Sequence, residues 1–381
     1  MKTMLSFLLM LLLIDPVLAQ NRQEKVIKKI DKLLEKQLKQ KDIHNVYLSL
    51  YSPSKNFEWQ TAKGVFKDGK QVSIDNPFYT ASVGKTFTAA AIGILVDQGQ
   101  LGFEDPIANY LSAEIMKDLH VLNGIDYGDS IQIAHLLQHT SGLADYFGEE
   151  TDDGSPSIFD RIMYQPDRLW EPKELIAFAK DHFEPYFAPG KGFYYTDTEY
   201  VLLGMIIEEI SGIPFHDFIH QKIIDPLELN HTYFNLLSKS QDSLGVMAEI
   251  YAADLEISTY KSLSADWAGG AIVSTGKDLI SFNRALLKGE IVSETTLKRM
   301  KDWIPETKGM YYGFGLRKIA FKELFVALPQ WEVIGHSGLN GTSMYYCPDL
   351  DIYFASTLNQ LGSSKKAVML MVKVLMQLEK L

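Results

Sequence analysis

The chain has 381 residues, of which 46% are hydrophobic and 22% charged, and its formal net charge is −11. That is enough apolar material for one large domain or two small ones, while the acidic balance lacks the basic face that a phosphate backbone requires and so argues against nucleic-acid binding. A single cysteine, Cys347, leaves no intramolecular disulfide and makes packing the source of stability.

The first stretch, "MKTMLSFLLMLLLIDPVLAQ", combines Lys2, an apolar run from Met4 to Ile14, Pro16 and the small residue Ala19. This is the pattern of a secretory signal peptide over residues 1–19, cleaved after Ala19, and it places the protein outside the cytoplasm, secreted or periplasmic. Lys2 and Asp15 would leave together, so the charge is unchanged. The run is too short to span a bilayer, no later run reaches about 18 apolar residues, and no Cys follows to carry a lipid, so no integral membrane segment is expected in the mature chain.

Residues 20–381 read as one domain. "NRQEKVIKKIDKLLEKQLKQ" sets Val26, Ile27, Ile30, Leu33, Leu34 and Leu38 at helical spacing, an amphipathic helix that should pack on a sheet. Two strand-like runs follow, from Val46 and from Phe57, joined by a turn at Pro53 and Ser54. A helix from Ser82 to about Asp97 is suggested by Phe87, Ala91, Ile94 and Leu95, with Gly99 as its stop. From about 101 to 260 the pattern is mainly helical, broken by loops such as "FGEETDDGSPS" and "EPYFAPGKG". Beyond Tyr311 strands return in "YYGFGLRKIAF", "WEVIGHSG", "GTSMYYCP" and "LDIYFASTLNQ", before a closing helix from about Ser363 to Leu381. Strand material near 20–80 and 260–381 with helices between implies an α/β fold of the α+β type, an antiparallel sheet flanked by helices plus a helical subdomain.

"YTASVGKTFTAA" places Ser82 three residues before Lys85 at a helix start. A serine hydroxyl needs a neighbour to take its proton, and i, i+3 spacing puts Lys85 on the face of Ser82, where the helix N-terminus favours developing negative charge. Alone, the tetrapeptide is common. Two later stretches join it: "FYYTDTEYVLLG", with Tyr195 and Asp197 in a loop before an apolar helical run, and "VIGHSGLNGTSMYY", with His336-Ser337-Gly338 ending a strand-like run.

In this order the motifs resemble those of the penicillin-recognising serine hydrolases, within them the class C β-lactamases and the related D-Ala-D-Ala carboxypeptidases, D-aminopeptidases and esterases. "LLQHTSGL", "LLGMIIEEISG", "IIDPLELNHTYF" and "WAGGAIVSTGKDLISF" extend the resemblance over nearly the whole mature chain. It implies a β-lactamase/transpeptidase-like fold and an acyl-enzyme on Ser82, with Lys85 and Tyr195 handling its proton. It also implies an oxyanion hole from the backbone N–H groups of Ser82 and of Leu339, which follows Gly338. The substrate would be a small molecule or peptide, either a D-amino-acid peptide or a β-lactam, with an N-terminal D-amino acid or an ester as alternatives. A non-catalytic binding or sensing module is the rival from a different class. No cofactor or metal is required, and the oligomeric state stays open.

Two residues depart from the β-lactamase pattern. His336 stands where β-lactamases carry Lys, which weakens the anchoring of a free carboxylate, since His is largely neutral near pH 7. Asp197 stands where the family often has Asn. An ionised Asp cannot donate to a substrate carbonyl, could hold a substrate ammonium, and should keep Lys85 charged, which favours Tyr195 as the base.

Other features have plainer readings. His216 and His220 lie at i, i+4 but lack a third ligand, so they read as part of a structural helix. "HTSG" around Ser141 reads as a structural turn, "EETDD" from Glu149 as a solvated loop, and Cys347 as a buried strand residue. Tyr194, Tyr311, Tyr312 and Trp331 read as core.

Overall fold

The computed structural model describes residues 2–239 and 245–381, with side chains from residue 20 onward. Eight strands build the main sheet: β1 (Asn45–Ser52), β2 (Phe57–Gly64), β3 (Ile304–Thr307), β4 (Met310–Tyr312), β5 (Arg317–Ala320), β6 (Glu332–Ser337), β7 (Ser343–Cys347) and β8 (Ile352–Thr357). Their order is β3-β4-β5-β6-β7-β8-β1-β2, antiparallel throughout. The N-terminal hairpin joins the C-terminal meander where Tyr47 pairs with Thr357 and Tyr51 with Tyr353. Both ends of the chain therefore share one sheet.

Side chains alternate across β1 as the pleat requires. Val46, Leu48 and Leu50 face one layer, made with Val26, Ile30 and Leu34 of α1 (Lys2–Leu38) and Leu370 and Leu375 of the closing helix Ser364–Leu378. Residues 1–19 lie outside the described side chains. Cys347 is buried in this layer, where burial pushes its thiol up to about 12, well away from a reactive thiolate. Tyr47, Tyr353 and Ala355 face the other layer with α2 (Gly84–Asp97) and the helix Gly276–Leu287. There Phe87 stacks on Phe282, ring centroids 3.6 Å apart. In α2 every residue from Gly84 to Leu95 is buried, so it is a central helix with no solvent face.

The middle of the chain contains helices such as Pro172–His182 and α3 (Asp197–Ser211). It also holds two hairpins of two-residue strands, Val121–Leu122 with Ile125–Asp126 and Tyr251–Ala252 with Leu255–Glu256, too short to leave a periodic signal. A second small sheet pairs Phe78–Tyr79 with Ile272–Ser274, and that strand with Tyr233–Phe234, tying the helical region to the segment that enters Ser82. The run from Tyr311 to Phe321, expected as one strand, divides into β4 and β5 at a turn where Gly315 takes φ +61°. In the "EETDD" loop Asp152 and Asp153 are exposed, but Glu149 turns inward and accepts from the Asp145 N–H at 3.0 Å. Among the described residues no helix is long and apolar enough to cross a membrane.

Candidate active site

Ser82 is presented by a turn that several neighbours hold in place. Thr80 N–H and Oγ1 both donate to the Ile272 carbonyl at 2.9 Å, Ala81 takes φ +47°, and Ser82 lies in a single 3-10 turn (Ala81–Val83) that runs into α2. A left-handed residue with a side chain costs on the order of 1–3 kcal/mol and persists only where the surroundings impose it. The hairpin after β6 does so: Asn340 Nδ2 and Thr342 Oγ1 donate to the Tyr79 carbonyl at 2.7 and 3.1 Å. Gly338 sits so close that a Cβ would lie 2.5 Å from the Thr80 oxygen and 2.9 Å from Ala81 Cβ. Only glycine lets that backbone close on the turn. Leu339, the next residue, reaches the same cavity as Ser82.

Lys85 lies one turn further along, fully buried, with Nζ donating to Ser82 Oγ at 3.4 Å and to the Gly269 carbonyl at 3.1 Å, and forming an ion pair with Asp197. Burial pushes the ammonium down, but the Asp197 carboxylate and the Tyr195 phenol outweigh it and hold Lys85 above its ordinary value. Burial raises the Tyr195 phenol; Lys85 and Arg317 pull it down, Asp197 pushes it up, and the net direction is upward. Both directions favour a charged lysine and a neutral phenol beside Ser82.

The Tyr195 ring is enclosed by Lys85 Nζ, 5.1 Å from its centroid, the Arg317 guanidinium at 5.5 Å and the His139 ring at 4.2 Å. Arg317 donates two hydrogen bonds of 2.7 Å to Glu306 and one of 3.2 Å to Ser337 Oγ. His336, a weak carboxylate anchor by its residue type, is made weaker still by its placement. It is fully buried, its Nε2 pairs with Tyr312 Oη at 2.9 Å and its Nδ1 with the Ser337 carbonyl at 2.9 Å, and burial beside Arg317 and Lys85 holds it well below its ordinary value. As placed it is a neutral internal support, with neither nitrogen offered to a substrate. Tyr312 is the core residue expected, but it belongs to this aromatic group behind the site.

A cavity of about 240 Å³ opens beside Ser82, Tyr195, Asp197 and Leu339, with Phe147, Phe159, Ile162 and Met163 among its walls. Two further carboxylates line it. Asp145 accepts from the N–H groups of Asp197 at 2.8 Å and Gly148 at 3.1 Å, and burial with the Asp197 charge pushes it up to about 7. Asp266 accepts from Tyr79 Oη at 2.6 Å, and the same two causes push it up to about 6. Neither has a motif around it, and nor does Arg317. Glu199 and His139, also missed as site residues, meet beneath Tyr195. Glu199 could have been suspected from its place two residues after Asp197. His139 stands in the "HTSG" turn, where it takes φ +59°. His220 Nε2 hydrogen-bonds Ser238 Oγ at 2.9 Å, and among the described residues no three metal-binding side chains gather.

The sequence matches the Beta-lactamase family over residues 30–374. It is 29% identical to Penicillin-binding protein 4* of Bacillus subtilis (strain 168) over 255 residues, 62% of this chain and 51% of that protein, so it spans about half the length of that curated relative. The fold superposes on a D-stereospecific amidohydrolase from Streptomyces sp. with a TM-score of 0.72 and 26% identity, covering 89% of this chain and 96% of the other. It also superposes on the D-amino acid amidase of Ochrobactrum anthropi SV3 in complex with D-phenylalanine, TM-score 0.75 at 23% identity, covering 93% and 99%, a likeness of fold. The chain belongs to the Beta-lactamase family.

Proposed function

We propose that this protein is a serine hydrolase that forms an acyl-enzyme on Ser82 and cleaves amides or peptides whose acyl part is a D-amino acid with a free amine. The carrying observation is the apolar cavity beside Ser82 that holds Asp145 and Asp266 in addition to the Asp197 carboxylate paired with Lys85. A protonated amine is the group that two such carboxylates accommodate best, and the apolar walls suit a side chain. A free carboxylate, as in a carboxypeptidase substrate or a β-lactam, meets a poorer site, because His336 is neutral and enclosed and Arg317 is engaged by Glu306. D-configuration is supported by the likeness to the Streptomyces enzyme.

In this reading the substrate ammonium offsets the Asp197 field that holds the Tyr195 phenol up, so the phenolate becomes accessible beside Lys85. Tyr195 takes the Ser82 proton as Oγ bonds to the carbonyl carbon, then returns it to the leaving nitrogen as the C–N bond breaks; water repeats the sequence to free the acid. The N–H groups of Ser82 and Leu339 receive the oxyanion, a contribution of roughly 3–4 kcal/mol per donor in comparable sites. Residues 1–19 act as an export signal ahead of a catalytic domain over 20–381.

The test is kcat/KM from about pH 5 to 9 for D-phenylalanine amide, its N-acetyl derivative, a D-Ala-D-Ala peptide, a chromogenic cephalosporin and a nitrophenyl ester. The free-amine amide should lead its acetylated form by roughly 10-fold or more, the size of one charged hydrogen bond. Its kcat/KM should rise as Asp266 and Asp145 ionise, near about 6 and about 7, a limb that the ester lacks. Preference for the acetylated amide or the cephalosporin would overturn this reading, and Ser82→Ala should abolish all turnover.

A further inference from the structure

We propose that His139, held by Glu199, is a positioning residue that sets the pose of the Tyr195 phenol. The inference rests on the reading of Tyr195 as the proton carrier. Both peptide N–H groups that flank Tyr195 point at this one residue: Tyr194 N–H donates to the His139 carbonyl at 2.9 Å and Thr196 N–H to His139 Nδ1 at 3.4 Å. The imidazole packs on the Tyr195 ring, centroids 4.2 Å apart, and also meets Tyr312 at 4.6 Å and Tyr200 at 5.3 Å. The main chain of His139 thus holds the backbone before the phenol, and its imidazole holds the backbone after it and packs against the ring.

Glu199 fixes His139 in turn. Its Oε2 lies 2.5 Å from His139 Nδ1, while its Oε1 accepts from the Ser141 N–H at 3.1 Å and from Ser141 Oγ at 2.5 Å. Both members of the pair are fully buried. Oε2 makes the short contact and the Thr196 N–H reaches the same nitrogen only at 3.4 Å, so one proton lying between Oε2 and Nδ1 joins a neutral carboxyl to a neutral imidazole. Burial agrees, raising the carboxyl well above and lowering the imidazole well below their ordinary values. His139 Nε2 is buried with no hydrogen-bond partner among the described residues, so the ring acts through Nδ1 and its faces. Glu199 lies in the first turn of α3, the helix that begins at Asp197. One helix turn therefore carries both the carboxylate that pairs with Lys85 and the carboxyl that orients the support of Tyr195.

The experiment compares Tyr195→Phe, Glu199→Ala, Glu199→Gln and the milder Ser141→Ala, alone and in the Tyr195→Phe background, with near-ultraviolet circular dichroism and Tm confirming the fold. Tyr195→Phe should lower kcat about 100-fold or more, as loss of a general base does. Glu199→Ala should lower kcat about 10- to 100-fold with KM within about 3-fold, and Glu199→Gln should retain kcat within about 5-fold, because the amide can still donate to Nδ1 and accept from Ser141. In the Tyr195→Phe background the same changes should add almost nothing, since a group that acts through the phenol has no effect once the phenol is gone. A Tyr195→Phe enzyme with unchanged kcat would remove the reading on which the proposal rests. If Tyr195→Phe is impaired, equal losses in both backgrounds, or a folded Glu199→Ala with kcat within about 2-fold of wild type, would overturn the positioning role alone. Should Glu199→Ala not fold, an undiminished kcat in Ser141→Ala does the same.

Discussion

Asp197 acts on both candidate proton carriers at once. It opens α3, where the free N–H groups of the first turn favour negative charge, and its carboxylate raises both the Lys85 ammonium and the Tyr195 phenol. Asp197→Asn removes that charge and lowers both, so at a given pH more of the site holds a deprotonated group. The rising limb of kcat against pH should move down by about one unit or more. Stability should fall too, because a buried Lys85 loses its partner, a loss of about 3 kcal/mol where a buried pair is broken. A kcat profile that stays in place would show that the Asp197 charge does not govern the base.

Glycines decide how closely the end of β6 approaches the start of α2. Gly338→Ala puts a methyl 2.5 Å from the Thr80 carbonyl, which is backbone and cannot turn aside, so β6 or the Ser82 turn must shift. Overpacking of this kind costs roughly 1–3 kcal/mol. Because Leu339 moves with Gly338, kcat/KM should fall about 100-fold while the far-ultraviolet spectrum is kept, since one oxyanion donor is displaced. Loss of stability without loss of kcat/KM would separate Leu339 from the reaction. The same element shows what the sequence could reveal. Alternation along β6, β7 and β8 is long enough to read, as is the i, i+3 step from Ser82 to Lys85, because both are local. β3 was not legible: its four residues include Pro305, which suits an edge strand and hides the pattern. Asp145 and Asp266 were not legible either, because their contacts cross the chain, 52 residues from Asp145 to Asp197 and 187 from Tyr79 to Asp266. His336 kept its place in the motif, but only the packing of Tyr312 and Ser337 around it shows that both its nitrogens are occupied.

At the scale of the whole molecule, the carboxylates of the cavity bear on stability as well as on the proposed binding of an amine. Asp266 is raised from 3.8 to about 6, so the folded chain binds this proton more tightly than the unfolded chain does. The stability this contributes is complete below the unfolded value and is lost as pH rises through about 6, leaving an ionised carboxylate against its preference at neutral pH. The difference corresponds to a penalty on the order of 1–3 kcal/mol once partial solvent access is allowed for. Asp266→Asn keeps an acceptor for Tyr79 Oη and carries no charge. Its Tm should exceed that of wild type by roughly 2–6 °C at about pH 7.5, and the gain should vanish toward about pH 4. The same variant should raise KM for a free-amine amide about 10-fold and leave that for an uncharged ester unchanged. A neutral-pH Tm at or below wild type would mean that the site solvates this carboxylate well. A gain in Tm joined to a loss of amine affinity would identify Asp266 as a charge that the fold keeps at its own expense for a cationic substrate.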